Sequence, residues 1–186
     1  MTDNRTARLI AAYAIASPDA KIAGSMWYAR ARRFTLYVAR TYHVTPEQAA
    51  GVVASLSPRK PWRENKRLAI LSCKAHAAAL KPGDVALHTL ANVRKAWAIL
   101  DGVAPLDVLG GAKVRAFYRN LSGDLDAVTI DAWAMRAADG TDPKGTPTPD
   151  LYAAYAVAYT VAATVVGLAP AVFQAVVWCA VRGSAS

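Results

Sequence analysis

The sequence predicts an all-α fold, and three observations support that prediction. Apolar residues recur at helical spacing along most of the chain, and turn formers separate these runs. The segment TPEQ at 45–48 has the pattern of a capping box with proline in the first helical turn. Strand-like sequence is limited to AVTI at 127–130. The chain of 186 residues contains no internal repeat, and we expect a single helical domain over 1–186.

Caps and turn formers place the boundaries of the predicted helices. The predicted helices cover about 6–16, 20–42, 46–56, 63–80, 90–100, 105–109 and 113–121, and another begins at Asp131. We expect a proline-punctuated basic loop, SPRKPW, at 57–62 and a turn-rich loop at 139–149. The uncharged stretch 151–181 is long enough for a membrane span, but GLAP at 167–170 interrupts it. We therefore predict two buried helices there, with Pro170 in the first turn of the second.

The composition favours a polyanionic partner. Lys and Arg number 22 against 13 Asp and Glu, which gives a net charge of +9. Nucleic acid is the commonest partner of so basic a chain, although a basic surface also keeps a protein in solution. Cys73 and Cys179 lie in apolar helical contexts and are expected to be buried thiols in a reducing compartment. The three histidines share no metal-ligand spacing, so we expect no bound transition metal. The N-terminus lacks the pattern of a signal peptide, which predicts a cytoplasmic protein.

A glycine-rich turn separates two of the predicted helices. The helices at 105–109 and 113–121 flank GGA at 110–112. Glycines allow a close approach of the backbone to a phosphate, and the N–H groups that open the second helix point toward it. A Gly-Gly turn between helices is also common without any ligand, so this pattern alone does not assign a function.

Lys113 and Asp131 are the candidate chemical groups. Lys113 falls in the first turn of its helix, where the positive end of the helix dipole disfavours protonation and favours a nucleophilic amine. Asp131 follows 18 residues later inside the apolar run VTIDAWAMR at 128–136. At a helix N-cap, backbone N–H groups keep such a carboxylate ionised and oriented. The plainer alternatives are a structural cap for Asp131 and a solvated lysine for Lys113.

The two segments together resemble the helix-hairpin-helix DNA glycosylases of the endonuclease-III type. The hairpin is VLGGAKVRA at 108–116, and the carboxylate segment is TIDAWAMR at 129–136. The resemblance extends over about 52–138, where 52–69 is similar to the segment that inserts a loop at the DNA. The hairpin is one residue shorter than the family pattern, and the four-cysteine iron–sulfur loop of many members is absent.

The resemblance implies a two-lobed helical fold without an iron–sulfur cluster, with the hairpin element at about 105–121 and a DNA-facing loop at about 57–63. The N- and C-terminal helices would pack together as the second lobe. The enzyme would flip a base out of the stack and cleave its N-glycosidic bond, with Asp131 stabilising the charged sugar. Lys113 would attack the sugar carbon and supply AP-lyase activity. The implied DNA contacts are Gly110, Gly111, Ala112, Arg59, Lys60, Arg63 and Arg115, and the pocket candidates are Trp133, Ser57, Asn65 and Gln174.

Two other functions stay open. The sequence also resembles phage-encoded relatives of this superfamily, such as the proposed alpha-glutamyl/putrescinyl thymine pyrophosphorylases, which hypermodify a thymine-derived base. A non-catalytic helix-hairpin-helix DNA-binding module is the other. In each case we expect DNA as the partner, no membrane, no obligate protein partner and no cofactor beyond a monovalent cation at the hairpin. The expected location is the cytoplasm, or the host cytoplasm for a phage protein.

Two aromatic segments have more than one interpretation. Trp27 and Tyr28, with Arg30, Arg32 and Arg33, form either a base-stacking surface or part of the core; core is the favoured role of Trp27. Gln174 and Trp178 lie one helical turn apart on the last helix. They either line the mouth of a pocket or form hydrogen bonds between packed helices.

Overall fold

The computed structural model describes residues 4–86 and 88–183, and within these ranges it contains helices and no strand. This confirms the all-α prediction. The helices are α1 Asn4–Ala14, α2 Pro18–Ser25, α3 Trp27–Tyr42, α4 Pro46–Ser55, α5 Trp62–Ala77, α6 Leu90–Leu100, α7 Pro105–Val108, α8 Ala112–Ser122, α9 Ala132–Asp139, α10 Pro149–Val166 and α11 Pro170–Arg182, with a 3-10 turn at Pro82–Asp84.

Local capping explains several of the helix starts. Thr45 and Gln48 form the predicted capping box: the Thr45 hydroxyl accepts from Gln48 N at 3.1 Å, and Gln48 Oε1 accepts from Thr45 N at 2.9 Å. Ser17 and Thr148 cap α2 and α10 in the same way with a side-chain oxygen. These hydrogen bonds satisfy amide groups that a helix N-terminus leaves without a partner.

The predicted continuous helix over 20–42 is wrong, because the chain forms α2 and α3 with a break at Met26. Met26 is the C-cap of α2, with φ −96° and ψ −4°, and the Ser25 hydroxyl donates at 3.0 Å to Ile22 O, the carbonyl that also accepts from Met26 N at 3.3 Å. The helix predicted to reach Leu80 ends at Ala77. Ala79 adopts a left-handed conformation, and Leu80 N bonds back to Ala75 O at 3.0 Å, which closes the helix end.

The segment 127–130 is buried and forms no strand. The Tyr152 side chain replaces a strand partner there: its hydroxyl donates to Val128 O at 2.9 Å and accepts from Ile130 N at 3.1 Å. A side chain thus satisfies the backbone groups that a neighbouring strand would otherwise pair.

The helices divide between two compact units. The first unit contains the described residues up to Arg30 and those from Gly123 onward. In its core, α1, α9, α10 and α11 bury side chains such as Leu9, Ile130, Tyr159 and Phe173, each at most 2% exposed. On α2, Gly24 faces the backbone of α11, because a Cβ at this position would lie 2.4 Å from Val176 Cα.

The second unit covers residues 31–122 and is built around α4. Every residue from Ala49 to Ser55 is buried, and α5, α6 and α8 pack around this helix. The amide of Gln48 donates to Ile99 O at 3.0 Å, which ties the start of α4 to the end of α6. Trp97 Nε1 donates to Leu80 O at 2.8 Å and fixes the loop after α5.

The uncharged C-terminal stretch forms the two predicted helices. Gly167 ends α10 in a left-handed conformation, and Pro170 opens α11. Across the described ranges no single helix is long and apolar enough to cross a membrane; α10 and α11 meet that criterion only as a pair, by length and composition, and their axes bend by 96°. Cys73 and Cys179 are buried and form no disulfide, as predicted.

Candidate functional site

Asp131 is the N-cap of α9, which confirms its predicted local role. Its backbone is extended, so the carboxylate lies over the first turn of the helix, where Oδ1 accepts from Ala134 N at 2.8 Å. The second oxygen, Oδ2, accepts from the indole Nε1 of Trp178 at 3.1 Å. The residue is half-buried. One carboxylate therefore joins the start of α9 to α11 and is held by donors on both oxygens.

Trp178 is itself held on two sides. Its ring lies 6.4 Å from that of Trp27, at an interplanar angle of 58°. The guanidinium carbon of Arg182 lies 4.6 Å from the Trp178 ring centroid, which is cation–π geometry. Trp27 is half-buried, so its exposure lies between that of a core residue and that of an exposed base-stacking ring. These contacts restrict the indole and so help to orient its donor toward Asp131.

Two buried tyrosines, Tyr28 and Tyr159, and the half-buried Tyr152 lie in the same unit as Asp131, and the charge of Asp131 affects the pKa of each. Burial raises the pKa of Tyr28 and of Tyr159 well above the usual range, and the negative charge of Asp131 raises both further. Burial, with the same charge adding to it, raises the pKa of Tyr152 to about 12. All three phenols therefore stay protonated at neutral pH and act as hydrogen-bond donors rather than bases.

Their hydrogen bonds extend the cluster into the helices. Tyr28 donates to Gln174 Oε1 at 3.1 Å, and Tyr159 donates to Ala134 O at 3.0 Å. Gln174 is 4% exposed and takes part in the hydrogen-bonded arrangement between packed helices, while its role as a pocket residue stays a prediction. Sequence reasoning considered Tyr28 only as a partner of Trp27 and missed Tyr152 and Tyr159. A usable signal was the spacing of Tyr152 and Tyr159, which places two hydroxyl groups on one face of an otherwise largely apolar helix.

The glycine hairpin lies in the second unit and is braced by Arg115. The guanidinium Nη1 donates to Leu106 O at 2.7 Å and to Leu109 O at 3.1 Å, so it closes the turn from within. Gly111 has a φ of +77°, a conformation that favours glycine. Gly110, Gly111, Ala112 and Lys113 are all exposed.

Lys95 of α6 is a hairpin neighbour that the sequence reasoning did not identify. A Cβ at Gly110 would lie 3.9 Å from Lys95 Nζ, and little else approaches that position. An ammonium beside an exposed glycine turn can neutralise a bound phosphate. The sequence offered no local signal, because the residue is on a helix that ends several residues before the hairpin.

The basic loop before α5 also belongs to the second unit. Arg59 is exposed in a left-handed conformation with a φ of 59°, and Lys60 N bonds back to Ser57 O at 3.2 Å. The Ser57 hydroxyl donates to Ala54 O at 2.8 Å, and Arg63 is exposed. A ring nitrogen of His88 lies 3.0 Å from Pro58 O and pins the loop.

Asn65 is 1% exposed, and only one of the two polar atoms of its side chain forms a hydrogen bond with a described residue. Its amide donates to Val53 O at 3.0 Å, while Oδ1 has no hydrogen-bond partner among the described residues. Trp133, on α9, stacks under the guanidinium of Arg136 at 4.2 Å. Of the four pocket candidates, Ser57 and Asn65 lie in the second unit and Trp133 and Gln174 in the first.

The predicted site residues therefore divide between the units. The second unit holds the hairpin, the basic loop and Lys113, and the first holds Asp131. Within the described part of the chain, no group of three or more His, Cys, Asp or Glu side chains could hold a metal ion.

Comparison with known proteins gives a family but no characterised relative. Neither the curated proteins nor the solved structures include a significant match to this chain. One family model matches almost the full length. The chain belongs to DUF7178, a family of unknown function, whose match covers residues 1–185.

Proposed function

We propose that this protein is a DNA-acting enzyme of the helix-hairpin-helix glycosylase type, which cleaves the N-glycosidic bond of a flipped-out base. The principal support is the Asp131 carboxylate, fixed by a helix N-terminus on one oxygen and by the Trp178 indole on the other. Breaking a glycosidic bond builds positive charge on the sugar, and a preorganised anion stabilises that charge.

The hairpin and the basic loop would hold the DNA backbone. Gly110 and Gly111 leave the turn open to a phosphate, and Lys95 adds a charge beside it. Arg59 and Arg63 are exposed and would contact neighbouring phosphates. Such contacts position the protein without reading sequence. Arg115 would act by bracing the hairpin, since its guanidinium is bonded to two carbonyls of the turn.

Lys113 would make the enzyme a lyase as well as a glycosylase. Its unprotonated amine would attack the sugar C1′ and form a C–N bond, while the base departs with the electrons of the glycosidic bond and takes up a proton. Opening of the sugar ring then gives the Schiff base. Lys113 is exposed at the start of α8, which makes its amine accessible to DNA.

Asp131→Asn tests the proposed chemistry. Asparagine keeps the shape of the side chain, and its one oxygen can still cap α9, while its amide nitrogen replaces the oxygen that accepts from the Trp178 indole. The charge and one hydrogen bond are therefore lost, and circular dichroism checks that the variant is folded. We expect base release from DNA carrying modified or damaged bases to fall by about 100-fold or more. Mass spectrometry of released bases and of the remaining nucleosides measures this and also separates excision from modification of a base.

Asp124→Asn is the matched control, because Asp124 Oδ1 also accepts from two backbone amides in the same unit. It should leave base release unchanged. If the wild type releases or modifies no base in any such DNA, the proposal is wrong.

Lys113→Ala separates glycosylase from lyase action. We expect borohydride to trap a covalent adduct between wild type and DNA, and the adduct to disappear in Lys113→Ala. Lys95→Ala is the control: it removes another amine near the hairpin, so it should weaken binding but leave the adduct. An adduct that survives in Lys113→Ala would contradict the assigned nucleophile.

A non-catalytic DNA-binding module is the second candidate, and one observation favours it. Both oxygens of Asp131 already accept hydrogen bonds that tie α9 to α11, which is a sufficient structural role. In that case Asp131→Asn leaves every measurable function intact, while reversing the charges of Arg59 and Lys60 abolishes DNA binding.

A further inference from the structure

Aromatic rings and cations share one surface of the second unit, on α3 and α5, and of its residues only Arg33 has been considered above. We refer to it as the ring surface, and it consists of Arg33, Phe34, Tyr37, Arg40, Trp62 and Lys66. Tyr37 is 54% exposed, so a large part of its side chain is accessible to a ligand. Phe34 and Trp62 are half-buried.

The rings form a connected series that ends in the core. The centroids of Tyr37 and Phe34 are 6.4 Å apart, and those of Phe34 and Trp62 are 5.7 Å apart in edge-to-face geometry. Trp62 in turn contacts Phe117, which is 8% exposed, at 6.5 Å. The exposed Tyr37 ring therefore contacts a series of rings that ends in the core, and these contacts fix its position in the absence of a ligand.

Cations flank the exposed ring. Arg33 and Arg40 are four residues before and three residues after Tyr37, so the three share one face of α3. On α5, Lys66 Nζ lies 5.9 Å from the Phe34 centroid and 5.8 Å from the Trp62 centroid.

The positive charge of the surface is not neutralised from within the second unit. None of its three cations forms an ion pair with a residue in the described ranges. The nearby carboxylate of Glu64 is engaged by Arg67 at 2.7 Å. An exposed ring between cations that have no carboxylate partner among the described residues is complementary to a ligand that is both anionic and aromatic.

We propose that the ring surface binds single-stranded nucleic acid, with a base stacked on Tyr37 and phosphates held by Arg33, Arg40 and Lys66. Single strands offer free base faces, and proteins that bind them combine aromatic platforms with cations in this way. Bases in a duplex are already stacked, so a duplex could use only the charges. The inference rests on the proposed function for the nature of the ligand, and it names unpaired DNA as the substrate class.

Two fluorescently labelled 12-mers separate stacking from charge: oligo-dT, and an abasic strand with the same phosphates and no bases. Binding is measured by fluorescence anisotropy. We expect the full-length protein to bind oligo-dT more tightly than the abasic strand by about fivefold or more. Tyr37→Leu should weaken oligo-dT binding by about five- to 150-fold and should change abasic binding by less than about twofold.

Two lysine variants on α5 test the contribution of charge to binding. Lys66→Ala should weaken binding of both strands by similar factors, because it removes a phosphate contact. Lys74→Ala removes the same charge from an exposed position two turns further along the helix and should leave both affinities unchanged. Circular dichroism confirms that each variant is folded.

Equal affinity of the wild type for the two strands overturns the inference, as does a 12-base-pair duplex whose binding Tyr37→Leu weakens as much as it weakens oligo-dT binding. Displacement of oligo-dT by polyglutamate at equal charge concentration also overturns it, since an acidic peptide then suffices. Asp131→Asn should keep the preference for oligo-dT. If the protein prefers oligo-dT but releases no base, the proposed catalysis is refuted and the inference about the ring surface is not.

Discussion

Asp139 shows how one side chain ties a terminal helix to the rest of the first unit. Its Oδ1 accepts from Arg5 Nε at 2.8 Å, and its Oδ2 accepts from the Tyr155 hydroxyl. Burial raises the pKa of the Asp139 carboxyl, but these hydrogen bonds and the charges of Arg5 and Arg8 outweigh it. The pKa in the folded protein is therefore below the ordinary value of 3.8.

We predict that Asp139→Asn lowers the free energy of unfolding by about 1 kcal/mol at neutral pH, since the pair is partly exposed and screened. A carboxyl whose pKa is depressed on folding contributes stability above its unfolded pKa. That contribution is lost as the pH falls below about 4, toward the folded pKa. The difference between wild type and variant should therefore shrink in this range, as measured by urea unfolding at pH 7 and near pH 3.

Asp126→Asn is the control, because Asp126 is exposed and has no ion-pair partner in the described part of the chain. Its effect should be small at both pH values. A difference for Asp139→Asn that stays constant from pH 7 to pH 3 would show that the charge of Asp139 contributes nothing.

At the residue scale, the sequence was sufficient to predict interactions between residues that are close together in the chain. Asp131 precedes a helical run, and the N-cap prediction needed only the next three residues. The Trp178 donor to Asp131 is 47 positions away, and no local pattern indicates it. The brace that Arg115 forms was also missed, because a basic residue in a hairpin is as easily assigned to a phosphate as to a carbonyl.

At the scale of elements, the crossing of α2 and α11 depends on one missing side chain. A Cβ at Gly24 would lie 2.4 Å from Val176 Cα and 2.5 Å from Val176 N, and backbone atoms cannot move aside as a side chain can. The two helices therefore approach closely at this point, and glycine is the residue that permits it.

We predict that Gly24→Ala lowers the free energy of unfolding by about 3 kcal/mol, near the upper end for overpacking. The loss should be visible as a lower denaturant midpoint in circular dichroism. Gly83→Ala is the control, because a Cβ there meets nothing within 4 Å, and its effect should stay within about 0.5 kcal/mol. An unchanged midpoint for Gly24→Ala would mean that the crossing opens at little cost.

Helix identity and helix continuity differ in how well the sequence predicts them. The capping box at Thr45 was predictable because its atoms lie within four residues. The break at Met26 was not, since helical spacing continues through it and the packing of Gly24 on α11 comes from a distant segment. Likewise, AVTI has strand propensity, but Tyr152 satisfies its backbone and no partner strand exists among the described residues.

At the scale of the whole molecule, the net charge of +9 predicts binding of DNA that weakens with salt. A plot of log affinity against log salt for duplex DNA should be linear with a negative slope. Arg59→Gln should reduce the magnitude of that slope by about 0.9, the value for one phosphate contact. Fluorescence anisotropy at several salt concentrations measures it.

Lys21→Gln is the matched control, because Lys21 lies on α2 of the first unit with its ammonium 4.8 Å from the Tyr13 ring centroid. It should leave the slope unchanged. Equal reductions for both variants would indicate diffuse attraction by net charge rather than contacts at the basic loop.

Which helices belong to each unit could not be predicted from local sequence patterns. Helix α1 packs on α9, α10 and α11, which lie more than 100 residues further along the chain. Amphipathic spacing shows that a helix buries a face but not which helix covers it. The expectation that the terminal helices pack together came from the family resemblance, and the catalytic assignment of Lys113 and Asp131 stays a prediction.

The hydrogen bond between Tyr28 and Gln174 also has a consequence for synthesis on the ribosome, because the two residues are 146 positions apart. At about 5–20 residues per second, Gln174 is made roughly 7–30 seconds after Tyr28. For most of that interval, until α9 and α10 are made, Leu9 and the other apolar side chains of α1 lack the helices that later cover them. The nascent N-terminal segment is then exposed to aggregation or chaperone capture, so the rate of translation beyond residue 122 should influence the yield of folded protein.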